Sequence, residues 1–483
     1  MAMKELPDIP TSPPRSHRVI PKLASLFSAR WLQDLLHAVL FIYLARVSTT
    51  TYGEFMLALG LGAIINKVGD SGLNLPLVGL LSRRDGDPEG GLLQVLLLKT
   101  GLLLLAFGGV TVFVAWQQYA SPLREVALIL SLGVGLEAVA STFFTAMQVQ
   151  GRQAREGWIR VLAAVVGFGY GLGALLWGAP PVILALFKLL ETLTKIIGSA
   201  WAAGFRRPAV WPSFSALGAT LRRGLIFAVL EISAVLYNKA NVFFLQRYGG
   251  SEGVAQYSAT WQIVDGASTM TTTLILQSVL FPLFVKFWEA DRQEVSRLAQ
   301  SSARWLIALA LVLMISLFAE SDRLIPLVFG SRYQEAIWLQ HYLVITILFG
   351  YLHNLAMFLL ISMRLERLLV AVYLGALSFN LAFCALVIPV TPLWGAALAI
   401  IFTKGAMAFT TFGFVQARLR ILALKDLLQL VGGALLALAL YYGGLTVVRR
   451  GPALVLGLLP MLALFWYWWK TPPKPPSSSA ANL

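Results

Sequence analysis

Charged residues inside apolar stretches are the part of this sequence that could do chemistry. Residues 186–200, "LFKLLETLTKIIGSA", carry Lys188, Glu191 and Lys195 within a run long enough to cross a bilayer. Each central Lys or Glu opposes membrane insertion by about 2.5–3.5 kcal/mol, whereas a Leu or Ile favours it by only about 0.3–0.6 kcal/mol. These three charges therefore need partners or a ligand.

The three charges share one face of a predicted helix, because they are spaced at i, i+3 and i+7. One Glu cannot neutralise two Lys, so we expect Lys188 and Lys195 to keep a surplus positive charge that faces protein, water or an anion. A pyrophosphate is such an anion, and Lys binds it as a point charge. Snorkelling at span ends and structural ion pairs between helices are the alternatives.

Other intramembrane bases raise the same choice between anion binding and pairing. Arg30 and Asp34 lie four residues apart, and Lys67 and Asp70 lie three apart, so each pair would also fit a self-neutralised ion pair. Lys99 lies nearer a span end and is predicted to be structural. Arg30 and Lys67 are candidate substrate ligands.

Among the predicted membrane spans, the two successive segments at residues 223–249 and 254–284 contain the most polar residues. We expect them to wall a water-filled cavity, with interhelical hydrogen bonding as the alternative. The candidate substrate ligands here are Asn238, Lys239 and Asn241, joined by Lys404 further along the chain. The candidate acids for coupling to Na+ or H+ are Asp34, Glu231 and Asp265.

The composition predicts an integral membrane protein. Of the 483 residues 58% are hydrophobic and 13% are charged, and the mean hydropathy is +0.74. No alternating strand pattern occurs, so the fold class is all-α and polytopic. The lone Cys384 excludes an intrachain disulfide and a cysteine metal cluster, and the four His have no ligand spacing. We expect no cofactor and no metal.

At about 20 residues per crossing the chain divides into about fourteen spans. They are predicted to start near residues 22, 54, 91, 123, 157, 181, 223, 254, 303, 336, 367, 392, 424 and 451. With this count, the side holding both termini carries 24 loop Lys and Arg against 7 on the other side. The positive-inside rule then places both termini in the cytoplasm. The net charge of +15 follows from topology and does not indicate a nucleic-acid partner.

Matching residues six spans apart indicate an internal repeat. The matches are Thr194, Lys195, Gly204 and Phe205 with Thr403, Lys404, Gly413 and Phe414. The repeat predicts two pseudo-symmetric six-helix lobes, at residues 22–203 and 223–418, joined by a cytoplasmic linker at 204–222. The remaining segments are predicted to be a cytoplasmic N-terminal segment at 1–21, an appended helix pair at 419–470 and a disordered tail at 471–483.

Four stretches, in order and spacing, resemble polysaccharide flippases of the multidrug/oligosaccharidyl-lipid/polysaccharide (MOP) exporter superfamily. They are "LARVSTTTYGEFMLALGLGAIINKVGDSGL" at 44–73, "YGGSEGVAQYSATWQIVDG" at 248–266, "LIPLVFGSRYQEAIWLQ" at 324–340 and "IPVTPLWGAALAIIFTK" at 388–404. The resemblance covers about residues 20 to 420. It implies two six-helix lobes around a central cavity that flips polyprenyl-pyrophosphate-linked sugars by alternating access.

The resemblance also narrows the expected substrate. In the lipid II branch, basic residues on helices one, two and eight line the cavity. This sequence has Arg30 and Lys67 on spans one and two, but span eight carries Asp265 and no base. That departure favours a surface polysaccharide such as O-antigen, capsule or exopolysaccharide. The implied location is the bacterial cytoplasmic membrane, and the implied partners are membrane lipids, a polysaccharide polymerase and other export components.

The residues leave two alternative functions to consider. A cation-coupled multidrug antiporter of the same superfamily would use Asp34 and Glu231 as coupling acids. A membrane enzyme such as a polysaccharide polymerase or glycosyltransferase would need acid/base or metal-binding residues on a sizeable external loop. The largest predicted external loop, "ESDRLIPLVFGSRYQEA", has no His and no paired carboxylates at useful spacing. The sequence therefore favours a transporter and not an enzyme.

Overall fold

The computed structural model describes residues 19–82, 87–205 and 211–471, with side chains from Ala29 onward. Within these ranges 89% of residues are helical and none forms a strand, which confirms the all-α prediction. Most of the predicted N-terminal segment and tail, and residues 206–210 of the predicted linker, lie outside the described residues.

Eighteen α-helices account for the described chain, and a π-helical segment at Thr272–Leu280 continues the ninth helix into the tenth. In chain order they are α1 (Val19–Val47), α2 (Thr49–Asp70), α3 (Asn74–Leu81), α4 (Pro88–Trp116), α5 (Leu123–Gly135), α6 (Glu137–Val149), α7 (Gln153–Leu176), α8 (Pro181–Ala203), α9 (Phe214–Thr271), α10 (Phe281–Ala290), α11 (Arg292–Ala319), α12 (Ser321–Phe329), α13 (Gln334–Leu343), α14 (Ile345–Ser362), α15 (Glu366–Val387), α16 (Pro392–Leu419), α17 (Leu424–Gly444) and α18 (Arg450–Lys470).

Ten stretches of the described chain are long and apolar enough to cross a membrane. One of them, Phe214–Ala290, contains 77 residues and covers predicted spans seven and eight. Gly250 interrupts this stretch with a φ of 66°, a left-handed conformation that a glycine adopts without strain. The protein is therefore a multi-pass membrane protein, and the count of fourteen crossings stays a prediction.

Local sequence signals set several helix ends. Pro181 and Pro392 occupy the first turns of α8 and α16, where a missing N–H removes no helical hydrogen bond. Gly204 ends α8 with a φ of 70°. The carboxylate of Asp291 caps α11 by accepting hydrogen bonds from the backbone N–H groups of Gln293 (2.9 Å) and Glu294 (3.2 Å).

The described chain packs into two compact units. Unit 1 comprises the residues up to Phe41, Ile65–Val114 and Ala120–Gly224. Unit 2 comprises Ile42–Ile64, Ala115–Tyr119 and the residues from Leu225 onward. The predicted lobes at residues 22–203 and 223–418 stay a prediction.

Each unit has its own apolar core. In unit 1, α3, α4, α6 and α8 enclose a cluster that includes Leu77, Val95 and Met147. In unit 2, α17 and α18 pack on α11 through a cluster that includes Leu430 and Met461. The predicted appended pair therefore contacts the unit through an apolar face, as expected for helices that associate by packing.

Most of α2 belongs to unit 2 because aromatic side chains hold it there. The Tyr52 ring lies 6.0 Å from the Phe329 ring and 6.1 Å from the Tyr333 ring, and the Tyr333 hydroxyl donates to the Ala45 carbonyl at 3.2 Å. All three rings are buried. This packing fixes the end of α1 and the start of α2 on α12 and α13.

Two of the four glycines in "GFGYGLG", at residues 167–173, lie in close contact with neighbouring helices. A Cβ on Gly167 would lie 2.9 Å from the Glu191 Cβ, and one on Gly171 would lie 2.9 Å from a Leu40 methyl carbon. Gly169 and Gly173 have open space in front of them. Only one side of α7 therefore needs glycine, and that side faces the charged helix α8.

A leucine at Gly167 is expected to destabilise the protein. The added side chain would meet the Glu191 Cβ and the Phe187 carbonyl, so we expect a loss of about 1–3 kcal/mol from overpacking. Gly173→Leu is the matched control, because its position is open and the expected change is small. Thermal unfolding of the purified variants measures both, and equal melting temperatures would contradict the close packing.

A reporter fused after Lys470 is expected on the cytoplasmic side, because the distribution of Lys and Arg places both termini there. A fusion after Val447, in the turn between α17 and α18, should report the opposite side. Paired alkaline phosphatase and green fluorescent protein fusions measure both positions. An external signal after Lys470 would show that a crossing has been miscounted, most simply in the segment after Gly250.

Candidate functional site

The charges of α8 belong to a buried network in unit 1, which we call the α8 ionic cluster: Lys188, Glu191, Lys195, Glu137 and His37. Lys188 and Lys195 each lie 2.8 Å from the same Glu137 oxygen. Lys195 also contacts Glu191 at 2.6 Å, and Lys188 contacts it at 3.3 Å. The His37 Nε2 atom lies 2.7 Å from the Glu191 Oε2 atom, the oxygen that Lys188 also contacts.

Glycines bring the helices of this cluster close together. A Cβ on Gly133 of α5 would lie 3.0 Å from the Leu189 nitrogen, so the α5 backbone lies directly against that of α8. The chain then enters α6 at Glu137, whose side chain reaches both lysines. On the other side, Gly167 of α7 packs against Glu191. The charges are consequently enclosed by protein.

The prediction that α8 keeps a surplus positive charge is wrong. Glu137 supplies a second carboxylate, so the two lysines face two glutamates and their charges balance. The side chains of Lys188 and Lys195 are only 7% and 3% exposed. In this conformation the structure uses both lysines as ion-pair partners, and the cost of burying them is offset without a ligand.

Arg30 and Asp34 lie on the exposed side of α1 in unit 1. Asp34 is near Arg30 and near the α8 ionic cluster, where His37, Lys188 and Lys195 act on its charge. Arg30 is also near Glu156 and Arg160, which pair with each other at 2.9 Å. Both residues are therefore accessible, as a substrate-binding or coupling role requires.

Asp70, which lies three residues after Lys67, forms an ion pair with Lys99 of α4. Asp70 accepts from Lys99, which is fully buried and also donates to Asn74, Ser141 and a backbone carbonyl. This confirms that Lys99 is structural. Lys67 is partly exposed near the end of α2.

Unit 2 contains a partly open polar cavity of about 190 Å³, which we call the Lys404 cavity. The Lys404 ammonium lies 3.2 Å from Asp265 and 4.5 Å from the centre of the Trp261 ring. Asp265 and Lys404 line the cavity with polar residues that include Asn238 and His353. Since Lys404 follows Pro392 by twelve residues, it lies about 18 Å along α16, deep within the helix.

Lys239 lies near this pair, close enough for its charge to interact with those of Asp265 and Lys404. Two ammonium groups thus lie near one carboxylate, which forms its ion pair with Lys404. The side chain of Lys404 is 12% exposed and that of Asp265 is 38% exposed, in contrast to the α8 lysines. An anion entering this cavity would find basic groups that are within reach of solvent.

The polar residues of α9 divide between the cavity and the packing. Asn238 lines the Lys404 cavity, and its amide donates to the Ala234 carbonyl at 2.9 Å. Asn241 is fully buried, and its amide donates to Tyr257 and to the Ala396 carbonyl. We therefore leave Asn241 out of the proposed site. Glu231 is partly exposed and lies about two helical turns before Asn238.

Two members of the α8 ionic cluster were not assigned to it from the sequence. His37 precedes its partner Glu191 by 154 residues, and Glu137 precedes Lys188 by 51. No spacing rule joins positions so far apart in the chain. Among the described residues, no group of three His, Cys, Asp or Glu could hold a metal ion.

Removal of the Glu137 charge is expected to destabilise unit 1. Glu137→Gln leaves two buried lysines with one carboxylate, and an uncompensated buried charge costs about 3–5 kcal/mol. Adding Lys195→Met restores the balance and should recover part of the loss. Thermal unfolding of both variants in lipid nanodiscs measures this. Equal stability of the single and double variants would contradict the charge balance.

Solved transporter structures share this fold. The lipid II flippase MurJ in an inward closed conformation has a TM-score of 0.66 at 12% identity, covering 93% of this chain and 99% of that chain. An inward-facing multidrug resistance MATE family transporter of the MOP superfamily has a TM-score of 0.60 at 15% identity, covering 80% and 94%. A MOP superfamily transporter from Pyrococcus furiosus has a TM-score of 0.52 at 14% identity, covering 83% and 94%.

A search of curated proteins finds no significant match. Residues 19–288, more than half of the chain, match the family described as "Polysaccharide biosynthesis protein". This match and the shared fold agree with the resemblance found in the sequence. The chain therefore belongs to the polysaccharide biosynthesis protein family and has the fold of MOP superfamily transporters.

Proposed function

We propose that the protein flips a polyprenyl-(pyro)phosphate-linked oligosaccharide across the bacterial cytoplasmic membrane by alternating access, for surface polysaccharide synthesis. The observation that carries this proposal is the Lys404 cavity, where Lys404 pairs with Asp265 deep within the helices and Lys239 lies near both. The family match supports a polysaccharide pathway, and the charge supports an anionic lipid headgroup.

A pyrophosphate suits this arrangement electrostatically. The carboxylate of Asp265 holds Lys404 while the cavity has no anion, so a buried ammonium is never without a partner. A pyrophosphate carries two or more negative charges and binds ammonium groups as point charges. It would compete with Asp265 for Lys404 and engage Lys239. Binding would then replace one charge pair with another instead of burying a new charge.

The remaining candidates have different roles in this proposal. Lys188 and Lys195 maintain the structure of unit 1, because their ion pairs are complete. Arg30 and Lys67 stay proposed contacts for the headgroup, and Asn238 is proposed to donate to phosphate or sugar oxygens. Asp34, Glu231 and Asp265 stay proposed sites for coupling to Na+ or H+.

Loss of the Lys404 charge is expected to slow transport. Hydrogen bonds to charged groups contribute about 1.5–3 kcal/mol, so Lys404→Ala should lower the flipping rate at least about tenfold, and Lys239→Ala should also lower it. The assay is protection of a fluorescent polyprenyl-pyrophosphate oligosaccharide from an external quencher in proteoliposomes. Lys425→Ala, an exposed position at the start of α17, is the matched control and should transport normally.

Two results would overturn the proposal. Normal transport by both Lys404→Ala and Lys239→Ala would make this cluster structural. Efflux of a cationic dye by wild-type protein that does not move the lipid-linked oligosaccharide would support the multidrug antiporter instead. Lys404→Arg is expected to retain only part of the activity, because a planar guanidinium replaces a compact ammonium.

A further inference from the structure

Unit 2 has a second cavity of about 590 Å³, which we call the Trp394 groove. Its walls come from the α9 kink at Gly249–Gly253, the start of α13, and the turn into α16. Three helix ends that are distant in the chain therefore meet at one open groove. Its volume falls in the range of small-molecule sites.

The groove is built by close backbone packing and fixed hydrogen bonds. A Cβ on Gly249 would lie 3.2 Å from the Pro392 Cβ, so a glycine allows the kink to approach the start of α16. The Gln256 amide donates to the Arg332 carbonyl at 2.9 Å and accepts from the Ala336 N–H at 3.1 Å. These bonds attach the start of α13 to α9, and the groove is preformed.

One wall of the groove is a flat aromatic platform. The rings of Trp338 and Trp394 stack with centroids 4.5 Å apart and an interplanar angle of 27°. The Tyr342 ring lies beside this stack, with its centroid 4.7 Å from that of Trp394 and an interplanar angle of 60°. The side chain of Trp394 is 40% exposed, and that of Tyr342 is 47% exposed. The platform is therefore available to a ligand.

Carboxylates border this platform. Glu335 accepts a hydrogen bond from the Trp338 indole N–H, which fixes the direction of the carboxylate. Glu252, on the α9 side of the groove, is exposed. Aromatic faces with nearby carboxylates match a pyranose ring, which presents an apolar C–H face to the aromatic ring and donates its hydroxyl groups to carboxylate oxygens.

We infer that the Trp394 groove is a saccharide-binding subsite that holds the glycan of the transported lipid while its phosphate lies elsewhere. This inference rests on the proposed function for the identity of the glycan. In the predicted topology, the α9 kink, the link from α12 to α13 and the turn into α16 all lie on the external side. The groove would then bind the sugar after it has crossed.

The geometry favours a sugar over the other ligands that aromatic and acidic residues bind. A cation cage needs rings that converge on one point, whereas Trp338 and Trp394 stack face to face and leave no space between them. The two glutamates disfavour a phosphate. An aromatic belt at the membrane interface also contains Trp and Tyr, but belt residues contact lipid and do not line a cavity with two carboxylates.

The test is saturation-transfer difference NMR on the full-length protein in lipid nanodiscs, since glycoside detergents would compete. The probes are the methyl glycosides of glucose, galactose, N-acetylglucosamine and rhamnose. We expect saturation transfer to the ring C–H protons of at least one probe. Trp394→Ala and Glu252→Gln should each weaken that binding about tenfold, and Trp394→Phe should retain most of it because it keeps an aromatic face.

Trp177→Ala is the matched control, because Trp177 is 89% exposed and lies on the same predicted side of the membrane in unit 1. It should leave glycoside binding unchanged. The inference is overturned if no probe receives saturation, if Trp394→Ala binds as the wild type does, or if tetramethylammonium binds and the glycosides do not. A Trp394→Ala variant that loses thermal stability is replaced by Glu252→Gln, which keeps the platform.

Failure of this inference is distinguishable from failure of the proposed function. If Lys404→Ala abolishes flipping while no glycoside binds, the flippase proposal stands and the groove has another role. If glycosides bind at Trp394 while the wild-type protein does not move the lipid-linked oligosaccharide, the subsite stands and the proposed function fails.

Discussion

The cost of placing an ammonium group inside an apolar helix bundle governs the organisation of this protein. Lys99, Lys188 and Lys195 are each almost fully buried, and each contacts one or more carboxylates. Those carboxylates lie on other helices as well as on α8 itself. The ion pairs therefore also fix the positions of these helices relative to one another. The close glycine contacts at Gly133 and Gly167 follow from the same requirement, because the ion pairs form only if the backbones approach.

The same rule separates structural lysines from those suited to bind substrate. Around α8 the positive and negative charges are matched and enclosed, which favours stability and leaves nothing for an anion to neutralise. Around α16, Lys404 pairs with Asp265 and Lys239 lies near both, beside a polar cavity that is partly open. An incomplete pairing next to a cavity is the arrangement that an anionic ligand completes.

The sequence was sufficient to predict the fold class and the membrane location, because both depend on composition and on the length of apolar runs. It also identified Lys99 as structural, since local position carries that information. It did not reveal the second partner of Lys188 and Lys195, because Glu137 comes from another helix. Asn241 was likewise assigned by residue type, although the structure uses it to join α9 to Tyr257 and α16. Which charges meet depends on tertiary packing, and spacing along one helix does not contain that information.

A lipid-linked oligosaccharide has two chemically different parts, and unit 2 has two cavities of matching character. The Lys404 cavity is basic and is the more enclosed of the two, whereas the Trp394 groove is aromatic, acidic and open. Carboxylates such as Glu252 would repel a pyrophosphate, and ammonium groups give little specificity for a neutral sugar. Since α9 and α16 contribute to both cavities, a movement of either helix would change both sites together. The two helices could therefore couple binding of the phosphate to release of the glycan.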